Sequence, residues 1–423
     1  MPGKRFLRKR SALLALLLVS PLLGAACAQT ESVLYNFPNG WEPNGGLVLD
    51  QKGNLYGTTW FGGDDNNGVV YQLTPEGKET ILYAFCPKGE PCFDGEYPLA
   101  SLVLDRNENL YGTASAGGRR KCFDGDYACG VVFKLTPKGK ETVLYSFCAQ
   151  DNCADGRYPT AGVVFDQKGN LYGTTSYGGA TEDCPDAYTG CGVVFKLTPK
   201  GKETVLYRFC AHANCTDGWF PISGVILDEK GNLYGTTILG GTYGQGTVFK
   251  VTPEGKETVL YSFCEQGGSK CTDGAMPFAP VALDRKGNLY GATRYGGAGS
   301  SCLGTYGCGV VFELTPHGKY TVLYNFCSQS NCADGAEPNG VILDARGSLY
   351  GTAFYGGAYY YGTAFKLSPT GKETVLYSFC AQQNCADGSY PEIGLIFDQT
   401  GNLYGTTEYG GAYRGGGVFR LTP

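Results

Sequence analysis

A short string of residues recurs seven times along the chain, and this recurrence constrains the fold more than any other feature. The string Asn-Leu-Tyr-Gly-Thr-Thr at 170–175 is one copy, and the copies are centred on Tyr56, Tyr111, Tyr172, Tyr234, Tyr290, Tyr350 and Tyr404. Consecutive copies are separated by 54 to 62 residues. Tandem units of this length each form one supersecondary structure and bury a core against their neighbours.

Each unit predicts four antiparallel β-strands. In the third unit the apolar segments lie at 163–165, 171–175, 192–197 and 203–209. The segments between them contain Asp-x-x-Gly-Asn and Thr-Pro-x-Gly-Lys, whose Asp, Pro and Gly residues are typical of tight turns. Large apolar residues alternate along the fourth segment, as they do in a strand. No stretch after residue 28 has the periodicity of a helix.

Seven four-stranded units predict an all-β protein, a seven-bladed β-propeller of four-stranded antiparallel blades. The alternative is a β-solenoid, whose coils are shorter, about 20–30 residues, and do not need four turns each. Segment 33–37 reads as a lone fourth strand, whereas the chain ends with a third strand at 416–421. We therefore expect the N-terminal strand to complete the last blade, because a closed ring leaves no unpaired edge.

The first 28 residues have the pattern of a secretory signal peptide. Five basic residues precede an apolar run at 11–25, and a small-x-small site, Ala-Cys-Ala, follows it. This arrangement is typical of a cleaved export signal. We expect cleavage after Ala28, which divides the chain into a signal peptide, 1–28, and a single propeller domain, 29–423.

The alternative for this N-terminus is a lipoprotein acylated at Cys27. It is less favoured, because Gly24 occupies a position where an aliphatic residue is usual. We therefore expect a secreted protein, extracellular or periplasmic, rather than one anchored through Cys27. Without residues 1–28 the formal net charge is −10, which argues against nucleic acid as a partner. No second apolar stretch has membrane length, so we expect no transmembrane segment after signal removal.

The repeated motifs resemble those of a known family. Asp-x-x-Gly-Asn-Leu-Tyr-Gly-Thr-Thr, then Gly-Val-Val-Phe-Lys-Leu-Thr-Pro, then Glu-Thr-Val-Leu-Tyr-Ser-Phe recur with small variations over nearly the whole chain. This order is similar to the bacterial GloVer (Gloeobacter/Verrucomicrobia) tandem repeat. The resemblance implies an extracellular repeat protein. It identifies no catalytic residues in this chain and leaves the activity open.

The cysteines after residue 28 number eighteen and form nine close pairs in the sequence. Six pairs lie in the loop after a fourth strand: Cys86–Cys92, Cys148–Cys153, Cys210–Cys215, Cys264–Cys271, Cys327–Cys332 and Cys380–Cys385. Three lie between second and third strands: Cys122–Cys129, Cys184–Cys191 and Cys302–Cys308. In an exported chain this pattern predicts nine disulfides. Zinc is disfavoured, because a structural zinc site needs four ligands and the chain has two histidines.

Propeller topology places alternate loops on opposite faces. The cysteine-containing loops and the Tyr-Gly-Gly loops share one face, and the short Gly and Pro turns share the other. Long, variable loops on a rigid scaffold are where binding residues are usually found. We therefore expect the cysteine-bearing face to bind a ligand, through aromatic side chains that can stack on it. The candidates are Trp60, Trp219, Tyr360 and Tyr409.

Departures from the repeat are the remaining place to look for chemistry. Glu392 and Glu408 could act as an acid and a base, with Arg294 as an anion clamp. No nucleophile elbow, phosphate loop or zinc-binding helix motif accompanies them, and solvated polar residues are the favoured interpretation. Calcium on the Asp-Gly residues is disfavoured against ordinary turn chemistry. Those residues are Asp94, Asp155, Asp217, Asp273, Asp334 and Asp387.

These observations favour a binding module over an enzyme. We expect a monomer that binds a glycan or an extracellular protein and needs no metal or other cofactor. The alternatives are a glycan hydrolase or lyase that uses the carboxylates above, and a structural surface module without a small ligand.

Overall fold

Each of the seven repeats folds into one antiparallel sheet, and the seven sheets are the blades of a β-propeller. The computed structural model describes residues 30–87, 89, 91–118, 129–179, 184–185, 190–299, 307–392 and 394–422. The all-β, seven-bladed fold predicted from the repeat is confirmed. The signal peptide predicted at 1–28 lies outside the described residues. Within them, no helix has the length and hydropathy needed to cross a membrane.

The blades follow chain order, and each runs from its innermost to its outermost strand. Blade 1 consists of β2 Val48–Leu49, β3 Leu55–Thr59, β4 Val69–Leu73 and β5 Glu79–Ala84. Blade 2 consists of β6 Val103–Leu104, β7 Leu110–Ala114, β8 Val131–Leu135 and β9 Glu141–Ser146. Blade 3 consists of β10 Val164–Phe165, β11 Leu171–Thr175, β12 Val193–Leu197 and β13 Glu203–Arg208. Blades 4 and 5 are β14 Ile226–Leu227, β15 Leu233–Thr237, β16 Thr247–Val251, β17 Glu257–Ser262; β18 Ala282–Leu283, β19 Leu289–Thr293, β20 Val310–Leu314, β21 Tyr320–Asn325.

The last two blades differ slightly at the axis. Blade 6 is β22 Ala336–Leu343, β23 Leu349–Tyr355, β24 Thr363–Leu367, β25 Glu373–Ser378. Blade 7 is β26 Ser389–Pro391 and β27 Ile396–Phe397, then β28 Leu403–Tyr409, β29 Gly417–Thr422 and β1 Thr30–Asn36. Within the part of the chain that the structure describes, five 3-10 turns lie in loops after fourth strands: Asp151–Cys153, Ala213–Cys215, Gly268–Lys270, Ser330–Cys332 and Gln383–Cys385.

The N-terminal strand closes the ring, as the sequence predicted. β1 pairs antiparallel with β29, so that Thr30 lies opposite Thr422 and Asn36 opposite Gly417. The side chain of Asn36 also accepts a hydrogen bond from the backbone N–H of Ala412 at 3.0 Å. The outermost strand of blade 7 therefore comes from the opposite end of the chain.

The core lies between neighbouring blades and is built from two sets of aromatic rings, one on the third strands and the other directly after the fourth strands. Phe195 on β12 is fully buried, and so is Phe147 at the end of the fourth strand of the preceding blade. Their ring centroids are 5.2 Å apart in an edge-to-face contact. A Cβ on Gly173 would lie 2.8 Å from the Phe195 ring, which explains why the repeated string has glycine there. Burying each ring contributes roughly 1.5–3 kcal/mol, and the contact recurs around the ring.

The repeated tyrosine has its role at the turn between the first two strands. In blade 3, Asp166 accepts hydrogen bonds from the backbone N–H groups of Lys168 and Asn170, from the Asn170 amide and from the Tyr172 hydroxyl. The tyrosine thus links the second strand to the aspartate that holds the turn. The recurring string is a structural unit.

Candidate functional site

The two kinds of long loop share one face, which we call the cysteine face. It consists of the loops after fourth strands and the loops that join second and third strands. The backbone N–H of Gly179 donates to the carbonyl of Cys153 at 2.9 Å, and Arg157 pairs with Tyr177, so the two kinds of loop pack together. The turn face, opposite, holds the tight turns such as 166–170 and 198–202.

Disulfides hold the loops of the cysteine face. Seven of the predicted pairs are present: Cys86–Cys92, Cys148–Cys153, Cys184–Cys191, Cys210–Cys215, Cys264–Cys271, Cys327–Cys332 and Cys380–Cys385. Cys129 and Cys308 are also disulfide-bonded, and their predicted partners, Cys122 and Cys302, lie outside the described residues. The sulfurs of Cys191, Cys210 and Cys215 lie within 4.8 Å of one another. All three belong to disulfides, so none is a thiolate available to a metal.

The Asp-Gly carboxylates are used within their own loops. Asp217 is 1% exposed and accepts hydrogen bonds from the Tyr207 hydroxyl at 2.7 Å and from the backbone N–H groups of Ala211 and His212. The same bonding recurs at Asp155, Asp273, Asp334 and Asp387. These contacts account for the aspartates as anchors of the loop to the outer strand and leave the calcium alternative without support.

A glutamate of the next blade lies beside most of these aspartates. Glu257, the first residue of β17, is half-buried, and one of its carboxylate oxygens has no hydrogen-bond partner among the described residues. Burial, followed by the charge of Asp217, raises the pKa of Glu257 to about 8. Burial, followed by the charge of a neighbouring aspartate, also raises the pKa to about 7 for Glu31, Glu203 and Glu373, where the aspartates are Asp387, Asp155 and Asp334. The blade interfaces therefore hold glutamates that favour the protonated form.

We expect these interfaces to make the protein less stable as the pH rises. Between the unfolded pKa of 4.5 and the folded value of about 8, the native state binds a proton at Glu257 that the unfolded chain does not. Stability is therefore highest below this window and is lost through it. The melting temperature should fall from about pH 5 to about pH 8.

Two variants show whether the buried glutamates cause this fall of the melting temperature with pH. Glu257→Gln removes one of the titrating groups and should flatten the slope of melting temperature against pH, whereas Glu229→Gln at an exposed turn should leave it unchanged. At lower pH the turn aspartates act in the opposite sense. Burial raises the pKa of Asp398, but hydrogen bonds from Asn402 and Thr400 outweigh it and set the value at about 2. A melting temperature that rises steadily up to about pH 8 would contradict the prediction.

A ring of residues surrounds the axis on the cysteine face, and we call it the mouth ring. Its first set precedes the loop proline of each blade: Glu42, Tyr97, Tyr158, Phe220, Met276, Glu337 and Tyr390. Its second set follows the end of the repeated string: Trp60, Ser115, Ser176, Ile238, Arg294, Phe354 and Glu408. The two sets are joined by backbone hydrogen bonds, as from Trp60 N–H to the Glu42 carbonyl.

The first set of the mouth ring has an unusual backbone. All seven residues have a positive φ, between 49° and 62°. This region is sparsely populated by residues other than glycine, and strained conformations of this kind are associated with functional sites. Sequence reasoning selected Glu392, which follows a loop proline, and missed the residues that precede these prolines. The Asp-Gly-x-x-Pro spacing was the signal that could have found it.

The aromatic candidates differ in exposure. Trp60 and Trp219 are half-buried: Trp60 stacks on Phe61 at 4.7 Å, and Trp219 packs against a hydrophobic core cluster. Tyr360 is 59% exposed and Tyr409 is 41% exposed. The first two therefore serve packing as well as surface, whereas the two tyrosines are exposed, Tyr360 more than Tyr409.

Most of the exposed tyrosines among the described residues gather on blades 6 and 7. Tyr390 of the mouth ring lies 5.4 Å from Tyr361 and 6.1 Å from Tyr409, measured between ring centroids. We define the tyrosine patch as Tyr360, Tyr361, Tyr390 and Tyr409. Tyr359 and Tyr413 are also exposed in the same two loops. Aromatic side chains of this kind provide broad contact area together with a hydroxyl that can hydrogen-bond.

Arg294 is engaged by its own chain. Its Nε lies 2.8 Å from a carboxylate oxygen of Glu337. Its guanidinium lies 5.1 Å from the ring centre of Phe278 and 4.9 Å from that of Phe354. A cation held between two aromatic rings and a carboxylate is well satisfied. Arg294 is thus paired with Glu337 of the next blade.

Glu392 and Glu408 share their neighbourhood with Glu42, which sequence reasoning did not select. Burial, and then the charge of Glu408, raises the pKa of Glu42. The pKa of Tyr409 rises to about 12, through a hydrogen bond with Glu408, then burial and the charge of Glu408, with smaller contributions from Glu42 and Glu392. The junction of blades 7 and 1 therefore carries negative charge beside exposed tyrosines.

Comparisons with known proteins agree with this architecture. The model of the Gloeobacter/Verrucomicrobia repeat matches residues 25–211, 121–303 and 299–423. A search of curated protein sequences finds no match. Among solved structures, the extracellular domain of a protein assigned as a hybrid two-component system of B. thetaiotaomicron is 10% identical, with a TM-score of 0.53, over 93% of this chain and 39% of that one.

A gluconolactonase from Xanthomonas campestris is also similar in structure. It is 13% identical, with a TM-score of 0.44, over 93% of this chain and 89% of its own. At these identities the likeness concerns the fold alone, and propellers with one fold carry unrelated functions.

Proposed function

Since the chain belongs to the Gloeobacter/Verrucomicrobia repeat family, we propose that it is an exported binding module whose ligand site is the tyrosine patch on the cysteine face. In this proposal residues 1–28 are a signal peptide and residues 29–423 form a single monomeric domain outside the cytoplasm. The disulfides support export, because such bonds persist in oxidising compartments. The ligand is a glycan or an extracellular protein.

The gathering of exposed tyrosines in two neighbouring loops carries the proposal. Five large exposed side chains come from the loops of blades 6 and 7: Tyr359, Tyr360, Tyr361, Tyr409 and Tyr413. The other large hydrophobic side chains that are exposed among the described residues lie far apart in the chain: Ile81, Phe93 and Tyr243. Tyrosine-rich surface is enriched where proteins bind partners. Single exposed apolar residues need no such explanation.

The loops beneath the patch are ordered before any ligand arrives. The backbone N–H of Gly411, in the loop after Tyr409, donates to the carbonyl of Cys385 at 2.8 Å. Cys385 is held in turn by its disulfide to Cys380. A pre-ordered surface lowers the entropy cost of binding, which supports placing the ligand on this face rather than on the turn face.

A comparison of the two faces tests the proposal. The mature chain is first screened on arrays of glycans and extracellular proteins. For any ligand found, Tyr409→Ala should weaken binding by about 1–2 kcal/mol, roughly 5- to 30-fold, because it removes an exposed aromatic contact. Lys200→Glu on the turn face should leave the affinity unchanged.

The outcomes are separable. Equal losses from the two variants would place the site elsewhere, and a screen without any ligand would contradict a binding function. Trp219→Ala is a poor substitute for Tyr409→Ala, because the half-buried Trp219 also packs the core and its loss would lower stability together with binding.

Glycan hydrolysis or lysis is the second candidate, and the carboxylates at the blade 7 and blade 1 junction favour it. Neighbouring carboxylates of unlike pKa can divide the roles of acid and base. Here the pKa of Glu42 is raised by burial and by Glu408. Product release from any glycan bound by the mature chain, lost in Glu408→Gln while glycan binding remains, would favour the enzyme over the binding module.

A further inference from the structure

The repeat makes two distant pairs of residues equivalent. Arg294 follows the repeated string in blade 5, and Glu337 precedes the loop proline of blade 6. The same two positions in blades 7 and 1 are Glu408 and Glu42. The mouth ring therefore has two matching positions, one with an arginine opposite a glutamate and one with a glutamate opposite a glutamate.

The first position shows how this scaffold holds a guanidinium. Glu337 accepts a hydrogen bond from Arg294 Nε at 2.8 Å, and the rings of Phe278 and Phe354 lie about 5 Å from the guanidinium carbon. The two charged side chains are 23% and 13% exposed. A planar guanidinium suits this setting, since it bonds carboxylates along its edge and stacks on aromatic rings.

The second position keeps the glutamate before the loop proline, has Glu392 and Trp60 where the first has Phe278 and Phe354, and has no cation paired with it among the described residues. Ion pairs among the described residues are Lys52–Glu108 and Arg294–Glu337, and neither includes Glu42 or Glu408. Aromatic rings are again nearby, because the Tyr409 ring lies 6.1 Å from that of Tyr390 and its hydroxyl interacts with Glu408 and, more weakly, with Glu42. Two carboxylates at one place repel each other unless a positive charge lies between them.

We propose that Glu42, Glu408 and the tyrosine patch bind an arginine side chain of a partner polypeptide, in the way that Arg294 is bound within the chain. This inference rests on the proposed function and names its ligand class. An aromatic surface that carries two carboxylates is complementary to a cation. A net charge of −10 without residues 1–28 also favours encounter with a basic partner.

A set of matched peptides tests the ligand class. The mature chain is titrated by calorimetry at low ionic strength with acetyl-Gly-Tyr-Arg-Tyr-Gly-amide and with versions that carry lysine or citrulline in place of arginine. We expect the citrulline peptide, which keeps the shape and loses the charge, to bind at least about tenfold more weakly. The lysine peptide should fall between them, because an ammonium cannot form the two parallel hydrogen bonds of a guanidinium.

Variants of the protein test the position. Glu408→Gln should weaken the arginine peptide about tenfold, and Glu229→Gln on the turn face should not. Glu408→Arg places a guanidinium opposite Glu42, as Arg294 lies opposite Glu337. We expect this variant to lose binding and to melt at a higher temperature than the parent chain, so that loss of binding cannot be attributed to unfolding.

Several results would overturn the inference. Equal binding of the arginine and citrulline peptides would exclude recognition of the charge. Unchanged binding by Glu408→Arg would place the peptide elsewhere, and saturable binding of calcium chloride that Glu408→Gln abolishes would identify a metal site instead. A glycan or protein that binds through Tyr409 without depending on arginine would leave the proposed function intact while refuting this ligand class.

Discussion

Deletion of residues 30–36 is expected to open the propeller and cause the largest loss of stability of any change considered. The deletion removes β1, which pairs with β29 across six residue positions from Thr30–Thr422 to Asn36–Gly417. It also removes half-buried side chains that cover Phe37 and β29, among them Val33 and Tyr35. An unpaired strand edge favours aggregation. We expect a melting temperature lower by at least about 10 °C, and association seen by size-exclusion chromatography.

Restoring the strand in trans provides the control for this deletion. A peptide with the sequence of residues 30–37 should add to the exposed edge of β29, as extended peptides add to open sheet edges. It should raise the melting temperature in a saturable way, because it binds the native state alone. A scrambled peptide should have no effect. A deleted chain that melts like the parent would show that β1 does not close the ring.

Replacement of Asp217 by alanine is expected to have the second-largest effect. The buried carboxylate accepts hydrogen bonds from the Tyr207 hydroxyl and from the backbone of Ala211 and His212. Alanine leaves these donors without a partner in a site that is 1% exposed. Each unsatisfied buried group costs about 1–3 kcal/mol, so we expect a loss of at least about 3 kcal/mol in unfolding free energy. Urea unfolding measures it directly.

Asp151 provides a matched control for that substitution. It is an exposed aspartate in the corresponding loop of the preceding blade, at the position that Ala213 occupies in the Asp217 loop. Asp151→Ala should change stability by less than about 0.5 kcal/mol, as exposed substitutions usually do. Similar losses for the two variants would mean that the hydrogen bonds of Asp217 contribute little to the fold.

Local structure followed closely from the sequence. The second strand of unit 3 was predicted at 171–175 and is Leu171–Thr175, and the fourth, predicted at 203–209, is Glu203–Arg208. Alternating apolar residues and tight turns depend on neighbours in the chain, which is why a single sequence is sufficient for them. The disulfides follow for the same reason, because cysteines 5 to 7 residues apart in the chain close within one loop.

The inner strand was less predictable. It was expected at 163–165, but β10 is Val164–Phe165, whereas blade 6 has a continuous strand, Ala336–Leu343. Blade 6 has one residue fewer between the loop proline, Pro338, and the turn aspartate, Asp344, than blade 3 has between Pro159 and Asp166. A proline donates no hydrogen bond and an extra residue interrupts the ladder, so the pairing here depends on details that an apolar pattern does not record.

The number of repeats, the four-stranded unit, the closing strand and the cysteine pairs could be predicted from the sequence, because each follows from residues close together in the chain or from the number and phase of the repeats. The folded structure was needed to show which side chains of different blades come together: Arg294 pairs with Glu337, and the charge of Glu408 acts on Glu42. These contacts require that the ring is closed and that the residue before each loop proline adopts its positive φ. No short-range rule specifies them, since the residues that meet belong to different blades and, at the closure, to opposite ends of the chain.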